Sequence, residues 1–428
     1  MKQKLLIVYY NFPPVKVPGA VRISNFYREA RKYFTEVHAL TSANRYLLQQ
    51  DHSLETHCPH IKEVPAWDLR RLTLRKKQSN TPYLSGNSTD RPLIAFFRRL
   101  INSFPFNILV GDGGAYYIWR GYQAGKRLVE KQGITHVFST FRPYSDHIVA
   151  YLLKRRFPHL VWVADFRDLH VDPVLDNVVW PAFQKRCNRW VLRRADVVST
   201  VSEGLKASLG EVHGNVVVLR NGYALPNEPQ PRSSPRSSPM TIVYTGALYD
   251  GLRDPSPLFA ALRQLIDQGR LQEHAIQLIY AGKEGRLWDD LVKQYRLSGC
   301  SKNLGVLPLE KTLEWQRKAH LNLLLTWSQP ETKGILTGKV YEYLATGHPI
   351  LALVNGTEDA ELHAIIKKGH SDNQLVHSND EACVSVVAEY IMDVYHKIMN
   401  GTWSAEAPPK AFRWDCLMSS FHNDVLCV

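Results

Sequence analysis

The stretch KLLIVYYNFPPVKVPGAVRISNFYREARKY, residues 4–33, decides the fold. Residues 4–10 are a continuous apolar run, too short to span a bilayer and of the length of a strand buried on both faces. Asn11, Pro13, Pro14 and Gly19 then break the run, and from 20 to 33 the apolar residues recur at helical spacing. Strand, loop and helix in that order form the unit from which parallel sheets are made. The rhythm repeats outward from it. Further strands are expected at 36–41, 135–140, 160–165, 196–201 and 216–219, with helices near 115–132, 145–157 and 177–194.

Residues 226–239, PNEPQPRSSPRSSP, carry five prolines and four serines with nothing to bury, the composition of an interdomain linker. Beyond it the alternation restarts, with strands expected at 241–245, 275–281, 303–307, 321–326 and 349–354. The chain of 428 residues is too long for one core. It is therefore expected to hold two α/β Rossmann-like domains with helix-covered parallel sheets, one at 1–225 and one at 241–403, joined by a linker at 226–240. A C-terminal helix within 404–428 is expected to pack back on the first domain. Residues 66–110 are the least regular part, mixing Arg98 and Arg99 with Phe96, Phe97, Phe104 and Phe106. They read either as an acceptor-side or membrane-facing excursion or as a solvated loop with an ordinary amphipathic helix.

The net charge of +13, from 53 Lys and Arg against 40 Asp and Glu, favours an anionic partner: nucleic acid, a bilayer surface or a phosphorylated substrate. Nucleic acid is disfavoured because the basic residues are scattered and lack the aromatic interleaving of RNA modules. Six cysteines without a CxxC pair suggest neither zinc nor a disulfide framework, and a cytoplasmic setting is expected, with any membrane contact peripheral.

Three segments and the further residue Arg142 carry the candidate chemistry. The loop 11–20 can turn backbone N–H groups toward an anion, with Gly19 allowing close approach; an ordinary βα turn explains the same residues. It is not GxGxxG, so a dinucleotide cofactor is disfavoured. In Gly334-Ile-Leu-Thr-Gly338-Lys339-Val340 the glycine spacing and Val340 exclude a P-loop. A glycine turn still enters a helix there, with Lys339 in its first turn and Glu342 three residues on. The pair suits a diphosphate and a ribose diol, or else is a surface ion pair. In Asp165-Phe166-Arg167-Asp168, charged residues end a buried strand where open α/β sheets place ligands. Arg167 and Asp168 are catalytic or acceptor-positioning candidates, unless a structural ion pair accounts for them. Arg142, in the loop after 135–140, joins them, while His147 lies inside the next helix and reads more readily as packed.

These stretches resemble the retaining family-4 glycosyltransferases of the two-domain GT-B fold, especially those of bacterial surface-polysaccharide synthesis. The resemblance runs through VADFRDL (163–169), ADVVSTVSEGL (195–205), VVVLRNGY (216–223), YTGALYDGLRDPSPL (244–258) and KGILTGKVYEYLATGHPILAL (333–353), the last two being the specific ones. It implies two domains facing each other across a cleft, 1–225 on the acceptor side and 241–403 binding the nucleotide sugar, with a UDP- or GDP-linked sugar as co-substrate and a glycan or lipid-linked acceptor in capsule, exopolysaccharide or O-antigen synthesis. Glu342 matches the second glutamate of the family's E-x7-E motif, Gly246 the glycine ending the first strand of the second domain, and Arg253 the arginine expected on the donor phosphates. Gly334 stands where the first glutamate would be, and Asp254-Pro255 where a lysine usually follows. Glu331 is a possible stand-in for the first, and Lys339 the candidate replacement for the second. No Asp-x-Asp pair occurs, so transfer is expected to be metal-independent, with Arg253, Lys339 and the amides at Gly338 neutralising the leaving diphosphate. A nucleotide-sugar epimerase or phosphorylase of the same architecture, and a non-catalytic basic protein on a degenerate transferase scaffold, are the alternatives.

Overall fold

The computed structural model describes residues 3–44, 48–54, 58–67, 92–110, 113–172, 176–224, 239–249, 251–329, 334 and 336–426. Residues 226–238 of the proposed linker, Glu331 and residues 68–91 lie outside these, while Met240 already begins the next strand. The chain divides into two compact units, Met1–Asn221 with Trp414–Val428, and Gly222–Arg413.

The first unit is built on a parallel sheet of strands β1 (Lys4–Val8), β2 (Glu36–Ser42), β3 (Ile61–Val64), β4 (His136–Phe141), β5 (Val161–Phe166), β6 (Val197–Thr200) and β7 (Val216–Val218), in the order β3-β2-β1-β4-β5-β6-β7. Its described helices are α1 (Pro18–Ala30), α2 (Pro92–Asn102), α3 (Phe106–Leu109), α4 (Gly114–Gln132), α5 (Ser145–Arg156), α6 (Pro181–Leu192) and α7 (Glu203–Gly210). Pro18 starts α1 because its missing N–H costs nothing in a first turn, and Ile23, Phe26, Tyr27 and Ala30 bury one stripe of it. Gly133 ends α4 in a left-handed turn (φ 68°).

The second unit has β8 (Met240–Thr245), β9 (Ile276–Ala281), β10 (Ser301–Asn303), β11 (Leu321–Ser328), β12 (Ile350–Gly356) and β13 (Gln374–His377), again all parallel, in the order β10-β9-β8-β11-β12-β13. Helices α8 (Ser256–Asp267), α9 (Gly285–Gln294), α10 (Leu309–Lys318), α11 (Gly338–Leu344), α12 (Ala360–Ile366) and α13 (Cys383–Met399) flank it. Two apolar clusters form the bulk of its core, one including Leu323, Leu353 and Ile391 and the other Leu324, Ala352 and Ile365.

In both sheets the strand order reverses beside the first strand, between β1 and β4 and between β8 and β11. The loops leaving the carboxyl ends of those strands open at the position where α/β sheets bind ligands.

The strand expected at 303–307 is corrected to Ser301–Asn303. Gly305 takes φ 65° and donates its N–H to Asn303 Oδ1 at 3.0 Å, turning the chain out of the sheet. The second unit does not stop at 403 but runs to Arg413, where Tyr223 N–H donates to Phe412 O at 3.0 Å. The final helix α14 (Trp414–Phe421) belongs to the first unit, with Trp414, Met418 and Phe421 in one apolar cluster with Ile23 and Phe26 of α1. Among the described residues no helix is long and apolar enough to cross a membrane.

Candidate functional site

In the second unit, four of the residues singled out in the sequence converge at the reversal point. Gly246 directly follows β8 with φ 132°, and its N–H donates to Ala281 O at 2.8 Å. A Cβ there would overlap Nζ and Cε of Lys339, so the lysine tip lies on the bare glycine backbone. Arg253, buried in the loop after β8, stacks its guanidinium 4.6 Å from the Tyr249 ring centroid and 5.0 Å from that of Trp327. Its Nη1 donates to Ala247 O at 3.3 Å. Lys339 Nζ lies 5.0 Å from the Tyr244 ring centroid.

Glu342 is half-buried and held by a partner that sequence reasoning missed. Gln316 Nε2, from α10, donates to Glu342 Oε2 and to Thr245 Oγ1, both at 3.0 Å, and the Tyr343 hydroxyl accepts from Thr245 N at 3.1 Å. The surface ion pair considered for Lys339 and Glu342 is therefore not what the segment forms. Gly338 opens α11 and is exposed, and a Cβ there would meet Glu342 Oε1 at 4.0 Å. Gly334, at the position of the absent first glutamate, is a buried turn residue (φ 79°) whose N–H donates to Asp359 Oδ2 at 3.0 Å.

Among the described residues' buried polar atoms without a partner at this end of the sheet, which include Gln316 Oε1 and the Ser328 hydroxyl, three donors stand together. Lys339 Nζ, Arg253 Nε and Trp327 Nε1 are buried without a hydrogen-bond partner among the described residues, and all three can only donate. Native structures pair nearly all such atoms, so a group of bare donors calls for an acceptor-rich ligand. Electrostatics point the same way. Burial pulls the Lys339 ammonium well below its ordinary value and neighbouring Arg253 adds to the pull, against the opposing carboxylates of Glu342 and Glu284. Burial pushes the Glu342 carboxyl up, with Gln316 and Lys339 resisting. Two adjacent desolvated cations are an arrangement that an anion relieves. Trp327 carried a sequence signal that went unread: it closes the apolar run at 321–326, at a strand end beside the reversal.

In the first unit, Gly19 lies in the first turn of α1, and a Cβ there would come within 2.6 Å of Arg167 Cζ. The space that Gly19 leaves is thus taken by the Tyr9 hydroxyl and the Arg167 guanidinium. Arg167 Nε donates to Phe141 O at 3.0 Å. Arg142 lies over the same residue's ring, its guanidinium 5.3 Å from the Phe141 centroid, and its Nε has no hydrogen-bond partner among the described residues. Asp168 is exposed. The ion pair in this segment belongs to Asp165: Arg22 grips it through Nη2 at 2.8 Å and Nε at 3.2 Å, and Thr140 and Ser199 hydroxyls donate to it. Burial pushes Asp165 up, but these partners outweigh it and hold the carboxyl below its ordinary value. Arg22 also donates to the carbonyls of Leu219 and Arg220, which makes the pair structural. His147 is packed, its Nδ1 2.7 Å from Ser139 Oγ, and burial drives its pKa down to about 3. His170 is driven to about 4 by burial and by Arg142. Among the described residues no group of His, Cys, Asp and Glu is arranged to hold a metal ion.

No protein-family model and no curated protein sequence matches the chain. Solved structures do. Sucrose-phosphate synthase from Thermosynechococcus elongatus aligns with a TM-score of 0.61 at 15% identity over 99% of each chain. The lipopolysaccharide outer core galactosyltransferase WaaB in its apo form aligns at 0.56 and 10% over 99% of each. A UDP-N-acetylglucosamine 2-epimerase aligns at 0.53 and 13%, over 99% of this chain and 97% of the other. The likeness is one of fold: two parallel-sheet α/β domains flanked by helices, the GT-B arrangement.

Proposed function

We propose that the protein is a glycosyltransferase that moves a sugar from a UDP- or GDP-linked donor to a glycan or lipid-linked acceptor in the synthesis of a bacterial surface polysaccharide. The observation that carries this reading is the trio of buried, unpartnered donors Lys339, Arg253 and Trp327 at the reversal point of the second sheet. A nucleoside diphosphate supplies the acceptors and the negative charge that those groups lack. In transfer, charge accumulates on the departing diphosphate, and two fixed cations in a water-poor site stabilise it without reorganisation. Glu342, held by Gln316, accepts hydrogen bonds from the ribose hydroxyls. Arg142, Arg167 and Asp168 in the first unit are the candidates for orienting the acceptor.

The similarity in fold to a UDP-N-acetylglucosamine 2-epimerase favours a second reading, epimerisation of the donor itself. Incubation with UDP- and GDP-linked hexoses, followed by mass spectrometry and proton NMR, separates the two. Transfer releases nucleoside diphosphate together with free or transferred sugar. An epimerase instead returns an intact nucleotide sugar with one carbon inverted. Neither product from any donor would refute the enzymatic reading.

A further inference from the structure

Helix α2, PLIAFFRRLIN, is turned the wrong way for a helix of a globular surface. Its polar residues tie it down: Arg99 Nε and Nη2 donate to Val178 O at 3.4 and 3.3 Å, Arg99 pairs with Asp176 at 2.8 Å, and Asn102 Nδ2 donates to Asn177 O at 3.3 Å. Its apolar residues face out, with Leu93 71% and Phe97 57% exposed. Amphipathic surface helices bury their apolar stripe against the core, so this inversion needs a covering. The exposure continues on α3, at Leu109, and on α4, where Trp119 lies 6.2 Å from Tyr116 and Tyr116 6.3 Å from Trp67. Of the eighteen large apolar side chains exposed among the described residues, fourteen fall between Trp67 and Trp190 and only four in the second unit, so the exposure is localised and not generic.

Charge chooses the occupant. Neither α2 nor α3 contains a carboxylate, α4 contains only Glu130, and Arg98, Arg120, Lys126 and Arg127 lie along the same elements. Apolar and aromatic side chains interspersed with Arg and Lys are the makeup of a face that sinks into the headgroup region of an anionic bilayer, the chains inserting while the cations meet lipid phosphates. A second copy of the chain docking through the same face would set two cationic faces that are poor in carboxylates against each other, which disfavours it. We propose that the surface formed by α2, α3 and the first turns of α4 docks the first unit onto an anionic membrane. This goes beyond the transferase reading, and its test needs neither donor nor acceptor.

The test is co-sedimentation of the full chain with vesicles of phosphatidylcholine mixed with phosphatidylglycerol, beside vesicles of phosphatidylcholine alone. Binding is expected to the anionic vesicles, to weaken as salt rises, and to fall roughly tenfold or more in Phe96→Ser/Phe97→Ser and in Trp119→Ser. Val386→Ser, an exposed apolar residue of the second unit, is expected to bind like the wild type. These side chains are exposed, so unchanged circular dichroism is expected of every variant. Equal binding to both vesicle types, no binding to either, or binding that the three substitutions leave intact would overturn the proposal. So would a dimer in sedimentation velocity that Phe96→Ser/Phe97→Ser dissolves, since it would assign the face to a second copy.

Discussion

Replacing Lys339 by methionine should stabilise the empty protein while weakening its grip on a nucleoside diphosphate. Methionine keeps the length of the stem, including the contact with Tyr244, and removes only the ammonium. In the empty protein that ammonium is buried, unpartnered and repelled by Arg253. An unsatisfied buried polar group costs about 1–3 kcal/mol, so its removal should return about that much. For a domain of this size each kcal/mol moves the melting temperature by about 2–4 °C, so the rise should be several degrees. With ligand bound the sign reverses. A hydrogen bond to a charged group is worth roughly 1.5–3 kcal/mol, so affinity should drop roughly tenfold to a hundredfold, and the ligand-induced rise in melting temperature should shrink with it. Differential scanning fluorimetry with and without UDP or GDP reads both effects from one plate. A variant that melts lower than the wild type and keeps its full response to the ligand would show that Lys339 is a structural group, and the reasoning would fail.

Three further outcomes are expected. Gly246→Ala forces a side chain onto φ 132° and into the seat of the Lys339 tip, so it should lose about 1–3 kcal/mol of stability in a denaturant titration and displace the ammonium, cutting turnover roughly a hundredfold or more. Nucleotide affinity should be full at pH values below the depressed pKa of Lys339 and fall as pH rises through it, because a bound diphosphate raises that pKa; calorimetry in buffers of different ionisation heat should show proton uptake at alkaline pH, and Lys339→Arg should flatten the profile. Arg22→Met strands the Asp165 carboxylate in the first unit's core and should cost about 3–5 kcal/mol in chemical unfolding, whereas Asp168→Asn, at an exposed position, should leave the unfolding curve unchanged.

The sheets were legible because their strands are apolar runs separated by glycine, proline and charged loops. Lys4–Val8 and Leu321–Ser328 announce themselves, and the expected spans at 36–41 and 241–245 end within a residue of β2 and β8. The edge strand β7, expected at 216–219, runs Val216–Val218, but the other three edge strands, β3, β10 and β13, were missed or misplaced. Gln374–His377 is short and only its Val376 is buried, so no apolar run marks it, and Gly305 cut short a strand whose composition reads on through 307. Lys339 and Glu342 could be named because a glycine turn enters a helix at Gly338, and Gly246 and Arg253 because the stretch 244–258 resembles that of a known family. Gln316 could not, since its role arises only when α10 is laid beside α11 and β8, a tertiary fact with no local pattern. For the same reason the sequence left Asp165, Arg167 and Asp168 undivided. Arg22, far away in the chain, takes the first into a structural pair, while Phe141 and Gly19 receive the second.

The central claim is that the bare donors at the reversal point of the second sheet hold the diphosphate of a nucleotide sugar. Isothermal titration of the wild-type chain and of Arg253→Ala with UDP, GDP and the corresponding nucleosides tests it directly. The expected result is saturable binding of one diphosphate by the wild type, with its nucleoside and the Arg253→Ala complex each weaker by roughly tenfold to a hundredfold or more. Equal affinity for nucleoside and nucleoside diphosphate, or undiminished binding by Arg253→Ala, would contradict it.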